Sequence, residues 1–291
     1  MFNSNFMALA STFSFALGAH AFFTFGRRIH YVWLGLFKSL IALIIFLVLL
    51  VFKGNFNLGD QVSFLQFFFS GFLGLGLADL FILKAFLILR PGRTLIITGF
   101  QPLFVGIFSF IFMGHSFAWE KLYGILCFIL CTVILSQEKS HSINKDTYKG
   151  IAYSFIGVIL NSFSCILTRL ACDQSPAMDS IEGNTIRIFG ALVCFILFFR
   201  FLETPRLTGP LRLLKSKDKL YLLIGTLFAA VISLIFYMIA IKHGDPTTIT
   251  AIGITLPLFS YALEIISDKK RPSRAMVLSF FSFVVGAFLI L

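Results

Sequence analysis

Charge is scarce in this 291-residue chain: 13% of residues are charged, with 13 Asp and Glu against 24 Lys and Arg. A soluble domain carries about a quarter of its residues as Asp, Glu, Lys or Arg, so too little polar surface exists here to cover a water-soluble globule. The motifs of several enzyme classes are missing too. There is no HExxH, no GxSG nucleophile loop and no His–carboxylate acyltransferase motif, and Asp79 has no second carboxylate in its apolar run. These absences speak against a membrane protease or acyltransferase. No long soluble segment is present, which speaks against a receptor or assembly subunit with an appended domain. The five cysteines (Cys127, Cys131, Cys165, Cys172, Cys194) lie mostly within apolar runs. Cys127 and Cys131 share a helical face, but no His or carboxylate completes a metal set, so all five read as small packing residues. Neither metal nor cofactor is expected. The first apolar run lacks a basic start and reads as a first helix rather than a cleaved signal.

What the chain does have is apolar length. Hydrophobic residues make up 58%, Phe alone supplies 39, and mean hydropathy is +0.94. A helix needs about 20 apolar residues to cross the hydrocarbon layer. Ten such runs are present: Asn5–Phe25, Tyr31–Phe52, Val62–Leu83, Arg93–Met113, Lys121–Gln137, Lys149–Leu170, Ile181–Phe201, Leu220–Ile241, Thr247–Ile266 and Ala275–Leu291. A polar connector, Glu138 to Thr147, separates the first five from the second five.

The two sets are copies. Pro91 to Phe104 reads PGRTLIITGFQPLF, and Pro246 to Phe259 reads PTTITAIGITLPLF; 246 − 91 = 155 and 257 − 102 = 155. The same offset pairs Ala85 with Ala240, Gly74 with Ala229 and Ser70 with Gly225. Matches at one fixed offset mark a duplicated unit, with halves over 5–137 and 149–291. Five spans is an odd number, so homologous halves must lie in opposite orientations, related by a two-fold axis in the membrane plane. The expected fold is all-α: ten transmembrane helices as two inverted five-helix repeats.

Charge placement predicts topology. One set of connections holds Arg27, Arg28, Arg90, Arg93, Lys139, Lys145, Arg206, Arg212, Lys215, Lys269, Lys270 and Arg271 among others; the opposite set holds only Lys53, Lys121, Arg169 and Lys242. The positive-inside rule puts the first set in the cytoplasm and both chain ends outside. The loops are too short for a nucleic-acid-binding domain, and their charge meets lipid headgroups instead.

The order and content of the spans resemble the drug/metabolite transporter superfamily, in particular its EamA-type ten-helix members. The carrying stretches are GFLGLGLADLFILKAFLILRPGRTLIITGFQPLF from Gly71 and GTLFAAVISLIFYMIAIKHGDPTTITAIGITLPLF from Gly225. Gly124 opens the fifth span, with Ser279 and Gly286 in the tenth, and Lys38 and Arg187 stand where the family often has a basic residue. His115 and Lys270 fall where the family has an acidic residue, so no role is borrowed from it. The resemblance implies a secondary carrier that moves a small metabolite through a central cavity by alternating access. It also implies both ends in the cytoplasm, opposite to the basic loops. The expected solute is an amino acid or another zwitterionic or anionic compound, with proton or counter-solute coupling. The expected setting is a bacterial inner membrane, as monomer or homodimer.

Ionisable groups retained in a bilayer tend to face a cavity or a partner. Asp79 either binds a substrate amine or a proton, or pairs with Lys38, Lys84 or His20. Lys38 and Arg187 either snorkel or stand as cationic posts for a carboxylate or phosphate, Arg187 suiting the bidentate geometry better. His20 either titrates during a cycle or hydrogen-bonds a neighbouring helix. Asn161, with Ser162 and Ser164, gives the sixth span a polar face, and Gln101 and Tyr237 add neutral hydrogen-bonding groups. Pro102 and Pro257 lack the N–H their helices need and are expected to kink the fourth and ninth spans around the site. Ser70-x3-Gly74-x3-Ala78 and Gly225-x3-Ala229-x3-Ser233 read as close-packing seams.

Overall fold

The structure, a computed structural model, describes residues 3–26, 29–54, 56–89, 94, 97–114, 145–201, 214–256, 258–260 and 262–263, with scattered residues between 123 and 134 and between 277 and 286. Among them there is helix, turn and connection but no strand. The helices are α1 (Ser4–Gly26), α2 (Tyr31–Lys53), α3 (Gln61–Leu89), α4 (Gln101–Met113), α5 (Lys145–Gln174), α6 (Ser180–Phe201), α7 (Ser216–His243) and α8 (Pro246–Gly253). Among the described residues five stretches are long and apolar enough to cross a membrane: α2, α3, Tyr148–Gln174 of α5, Ser180–Arg200 of α6, and α7. The expected spans Lys121–Gln137 and Ala275–Leu291 lie largely outside the described residues; those residues of theirs that are described are helical.

Helix ends are set locally. Gly54 adopts φ +76° and returns its N–H to the carbonyls of Leu50 and Val51, closing α2 with a left-handed residue that favours glycine. Asp60 accepts the Ser63 N–H at 3.3 Å to start α3. At the start of α6, Asp179 accepts the N–H groups of Ile181 and Glu182 at 2.9 Å, and Glu182 accepts the Asp179 N–H at 2.9 Å, a reciprocal capping box. Asp245 caps α8 by accepting the Thr248 N–H at 2.9 Å, with Pro246 in the first turn, where its missing donor costs nothing.

Two irregularities occur in matching places. Gly71–Ala78 of α3 is wound as a π-helix, and so is Phe228–Ile232 of α7, inside the stretch 226–233 that the 155 offset predicts (71 + 155 = 226; 78 + 155 = 233). The second irregularity lies in the spans Arg93–Met113 and Thr247–Ile266, which are expected as single helices kinked at Pro102 and Pro257, and it takes a different form. The chain turns at Gly99–Phe100 before α4 starts, and at Ile254–Thr255 after α8 ends. Phe100 N–H bonds the Ile97 carbonyl at 3.1 Å, and Thr255 N–H bonds that of Ile252 at 3.1 Å. Leu103 and Phe104 donate back to Phe100 as Leu258 and Phe259 donate back to Thr255. Pro102 therefore stands in the first turn of a new helix, where it needs no N–H, rather than inside a kinked one. Pro257 lies outside the described residues.

Packing follows the small residues. α2 and α6 lie side by side and antiparallel: Lys53 at the end of α2 meets Glu182 at the start of α6, Ala42 and Phe46 pack with Ile188, and Val32 and Leu36 pack with Leu192 and Phe195. The seams are close approaches of backbone. A Cβ on Gly74 of α3 would sit 2.1 Å from Ser164 Oγ of α5, and one on Gly18 of α1 would sit 2.3 Å from the Gly225 carbonyl of α7. Ser11 of α1 also donates to the Ser233 carbonyl at 2.9 Å. A Cβ on Gly71 would fall 1.7 Å from the Arg187 carbonyl, so α3 lies against the α6 backbone itself. Leu40, Ile44, Leu47 and Val51 form an exposed apolar stripe on α2, the composition a lipid-facing surface requires.

Candidate substrate site

Two cations stand inside the bundle, one per half. Lys38 is seven residues into α2 (38 − 31 = 7), and Arg187 seven residues into α6 (187 − 180 = 7). Because α2 and α6 are antiparallel, the two approach from opposite ends. Ile188 packs with Ala42 and Phe46, four and eight residues beyond Lys38 (42 − 38 = 4; 46 − 38 = 8), or about 6–12 Å along the axis at 1.5 Å per residue.

Lys38 is paired. Its ammonium lies 2.5 Å from Asp79 Oδ2 on α3, with the side chains 16% and 28% exposed. Lys38 does not share the face of α2 that carries Leu40, Ile44 and Leu47, so this exposure is toward the bundle and not toward lipid. Lys84 turns away from Asp79 and sits over the Tyr153 ring, 4.6 Å from its centroid.

Arg187 is 2% exposed and has no carboxylate partner among the described residues. Its Nε–H donates to Ser70 Oγ at 3.1 Å, and a terminal nitrogen donates to Asn184 Oδ1 at 3.3 Å. The guanidinium lies over the Tyr237 ring, 5.4 Å from the centroid. Ser70 Oγ is in turn 2.6 Å from Thr168 Oγ1 and 3.2 Å from Ser164 Oγ. Asn184 donates its amide to the Leu234 carbonyl at 2.8 Å. Arg187 is thus held by neutral oxygens and an aromatic face. Asn161 comes close to Gly74, its Oδ1 3.3 Å from where a Cβ would be, and Ser162 donates to the Gln101 carbonyl at 3.2 Å, joining α5 to the start of α4. His20 lies within α1, and its side chain is outside the described residues. The structure brings Lys38 to Asp79 and Arg187 to Tyr237; it does not join the two groups into one contact.

Sequence reasoning missed the neutral ring around Arg187. Ser70 reads as a packing residue, yet it touches the guanidinium. The signal was available in the helical spacing: Asn184 is three residues before Arg187, and Thr168 four after Ser164, each on a shared face.

Also unforeseen is a clasp at the bundle end where α2 finishes and α6 begins. Lys53 Nζ lies 2.6 Å from Asp179 Oδ2 and 2.8 Å from Glu182 Oε1, and Asn57 N–H donates to Glu182 at 2.9 Å. Asp60 accepts from Gln174 and Ser175, each at 3.0 Å, and Lys242 donates to the carbonyls of Pro176 and Met178, each at 2.7 Å. Arg169 donates to the carbonyls of Ile241 at 2.8 Å and Gly244 at 2.7 Å, and to Asp173 at 3.0 Å. Burial would raise the Asp179 carboxyl, but the Lys53 ammonium and the α6 N–H groups outweigh it and hold it below its ordinary value. The Ser63 hydroxyl, with that of Ser175, lowers Asp60 likewise. Lys53, Arg169 and Lys242, which the sequence assigns to one set of connections, meet here.

The model of one family, described as the EamA-like transporter family, matches residues 3–137 and again 148–291. The chain belongs to the EamA-like transporter family. No curated protein matches this transporter. A solved structure titled only "Crystal structure of protein" superposes with a TM-score of 0.78, covering 98% of this chain and 94% of its own, at 16% identity. That likeness concerns the fold. Family membership and the apolar helices make this EamA-like protein an integral membrane protein of transporter type with a two-repeat architecture.

Proposed function

We propose that this EamA-like transporter is a secondary carrier for a small zwitterionic or anionic metabolite, amino acids among the candidates. It works by alternating access between two inverted five-helix halves, 5–137 and 149–291. The observation that carries this reading is the pair of matched helix breaks at Gly99–Phe100 and Ile254–Thr255, beside helices that hold Lys38, Asp79 and Arg187 inside the bundle. Broken helices at membrane depth are tolerated where they line a cavity, and carriers place their solutes at such breaks. Thr255, in the second turn, is 3% exposed and its hydroxyl has no partner among the described residues, a polar group left for a solute or water.

Asp79, half open to the interior, is the group for a solute ammonium or a coupling proton, and Arg187 the group for an anion. The clasp of Lys53, Asp179 and Glu182 is the closed gate of this conformer. The basic connections favour the opposite end in the cytoplasm of a bacterial inner membrane and both termini outside, an orientation that impermeant thiol labelling of single cysteines at residues 2 and 290 tests.

Uptake into proteoliposomes tests the carrier. Saturable flux of one or more labelled amino or organic acids is expected, lost in Asp79→Asn and Arg187→Gln at equal reconstitution. Absence of flux for every solute, with folded protein in the vesicles, favours a membrane-embedded enzyme or a non-transporting subunit instead.

A further inference from the structure

We propose that Arg187 holds the carboxylate of a monoanionic solute, and that Leu234 keeps the position open for it. The inference deepens the carrier reading by naming the chemical class of what the site takes.

The two halves serve as each other's control. The interior cation of the first half, Lys38, has an aspartate from the third helix of its own half, Asp79, at 2.5 Å. The interior cation of the second half, Arg187, has no such partner, because the counterpart of Asp79 is Leu234 (79 + 155 = 234). Leu234 shares a neighbour with Arg187. Asn184 bridges the two positions, donating to the Leu234 carbonyl at 2.8 Å and accepting from Arg187 at 3.3 Å. Tyr237, one helical turn beyond Leu234 on the same face, lies over the guanidinium at 5.4 Å. The Leu234 side chain packs with Ala42, Phe46 and Ile188, the neighbour of Arg187 in sequence, so the chain puts an alkyl group where the first half has its carboxylate.

The guanidinium has capacity to spare. Of its five N–H donors, Nε–H is used by Ser70 and one other by Asn184, and no further protein acceptor is present among the described residues. Both partners are neutral, so the positive charge stays uncompensated at 2% exposure. A planar fork with free donors fits a carboxylate bidentately. Charge count selects among anions. Lys38 is neutralised by Asp79 and lies about 6–12 Å away along the axis, which leaves one net positive charge for one negative charge. A phosphate dianion would be left with an unmatched charge in a low-dielectric interior. Since Tyr237 and Ser70 close over Arg187 in this conformer, the solute reaches it when α7 moves off α3 and α6.

The test is a thermal-shift series on the full-length protein in detergent. The probes are lactate, pyruvate, alanine and phenylalanine, each beside its primary amide, together with inorganic phosphate. At least one carboxylate is expected to raise the Tm by a few degrees while its amide does not. Affinity should fall about 30-fold or more in Arg187→Gln and less in Arg187→Lys. Because removing a buried cation can impair folding, Leu234→Asp is the second variant: it supplies the missing carboxylate internally and should abolish the shift, whereas Leu234→Asn should keep it. The proposal is overturned if no carboxylate shifts the Tm, if amides match acids, if Leu234→Asp responds like the parent, or if phosphate gives the larger shift. Binding without flux in proteoliposomes would remove the carrier reading and leave this site standing. Flux indifferent to Arg187→Gln and Leu234→Asp would do the reverse.

Discussion

Ser282 donates a hydrogen bond of 2.9 Å to the main-chain carbonyl of Cys127, and the two residues are counterparts, 282 − 127 = 155. A residue that touches its own equivalent lies on or beside the symmetry axis relating the copies. Ser282→Ala is expected to cost about 0.6 kcal/mol, the average for such interhelical bonds in membranes. Ser282→Leu should cost several times more, since the side chain must enter a helix crossing. Unfolding in mixed micelles measures both; equal effects would show that the crossing is loose.

Asp79 and Lys38 form a pair that singles should break and a double should restore. Asp79→Asn leaves an unpartnered ammonium, and Lys38→Met an unpartnered carboxylate, in sites 16% and 28% exposed. Allowing for that exposure, each single change should cost about 1–2 kcal/mol, well below the 3–5 of a fully buried pair. The double variant should regain most of the loss. If stability returns but uptake does not, Asp79 works on the solute or proton; if both return, the pair is structural.

Gly71 and Gly253 should respond in opposite ways to alanine. At Gly71 the added Cβ falls 1.7 Å from the Arg187 carbonyl, so α3 must move off α6, at about 1–3 kcal/mol or more. At Gly253 none of the described residues lies within 4 Å and the backbone is helical, so alanine should be neutral or stabilise by about 0.4–1 kcal/mol. Thermal unfolding of the two variants reads this directly.

Acid should weaken the clasp. The Asp179 carboxyl is held below its ordinary value of 3.8 by Lys53 and the α6 N–H groups against the opposing effect of burial. A depressed folded-state pKa contributes stability that is present above the unfolded value and lost as pH falls through the folded one. Melting temperature should therefore decline below about pH 4, and less steeply in Asp179→Asn than in the parent.

The helical class, the duplication and most helix positions could be read from the chain, because apolar length and a fixed repeat offset are properties of sequence itself. The breaks at Gly99 and Ile254 could not, since an apolar run looks alike whether it is one helix or two; proline marked the place but not the form. Arg187 could be nominated from its position in a hydrophobic run. That Lys38 is neutralised and Arg187 is not depends on which helix faces which, and only packing decides that.

The π-helical turns of α3 and α7 also carry a chronology. A register irregularity requires an added residue, and finding one at the same place in both copies puts its origin before the copying event. Aspartate at 79 against leucine at 234 is, by contrast, a difference between the copies. The distorted helix is common to both halves; the pairing of the interior cation is not.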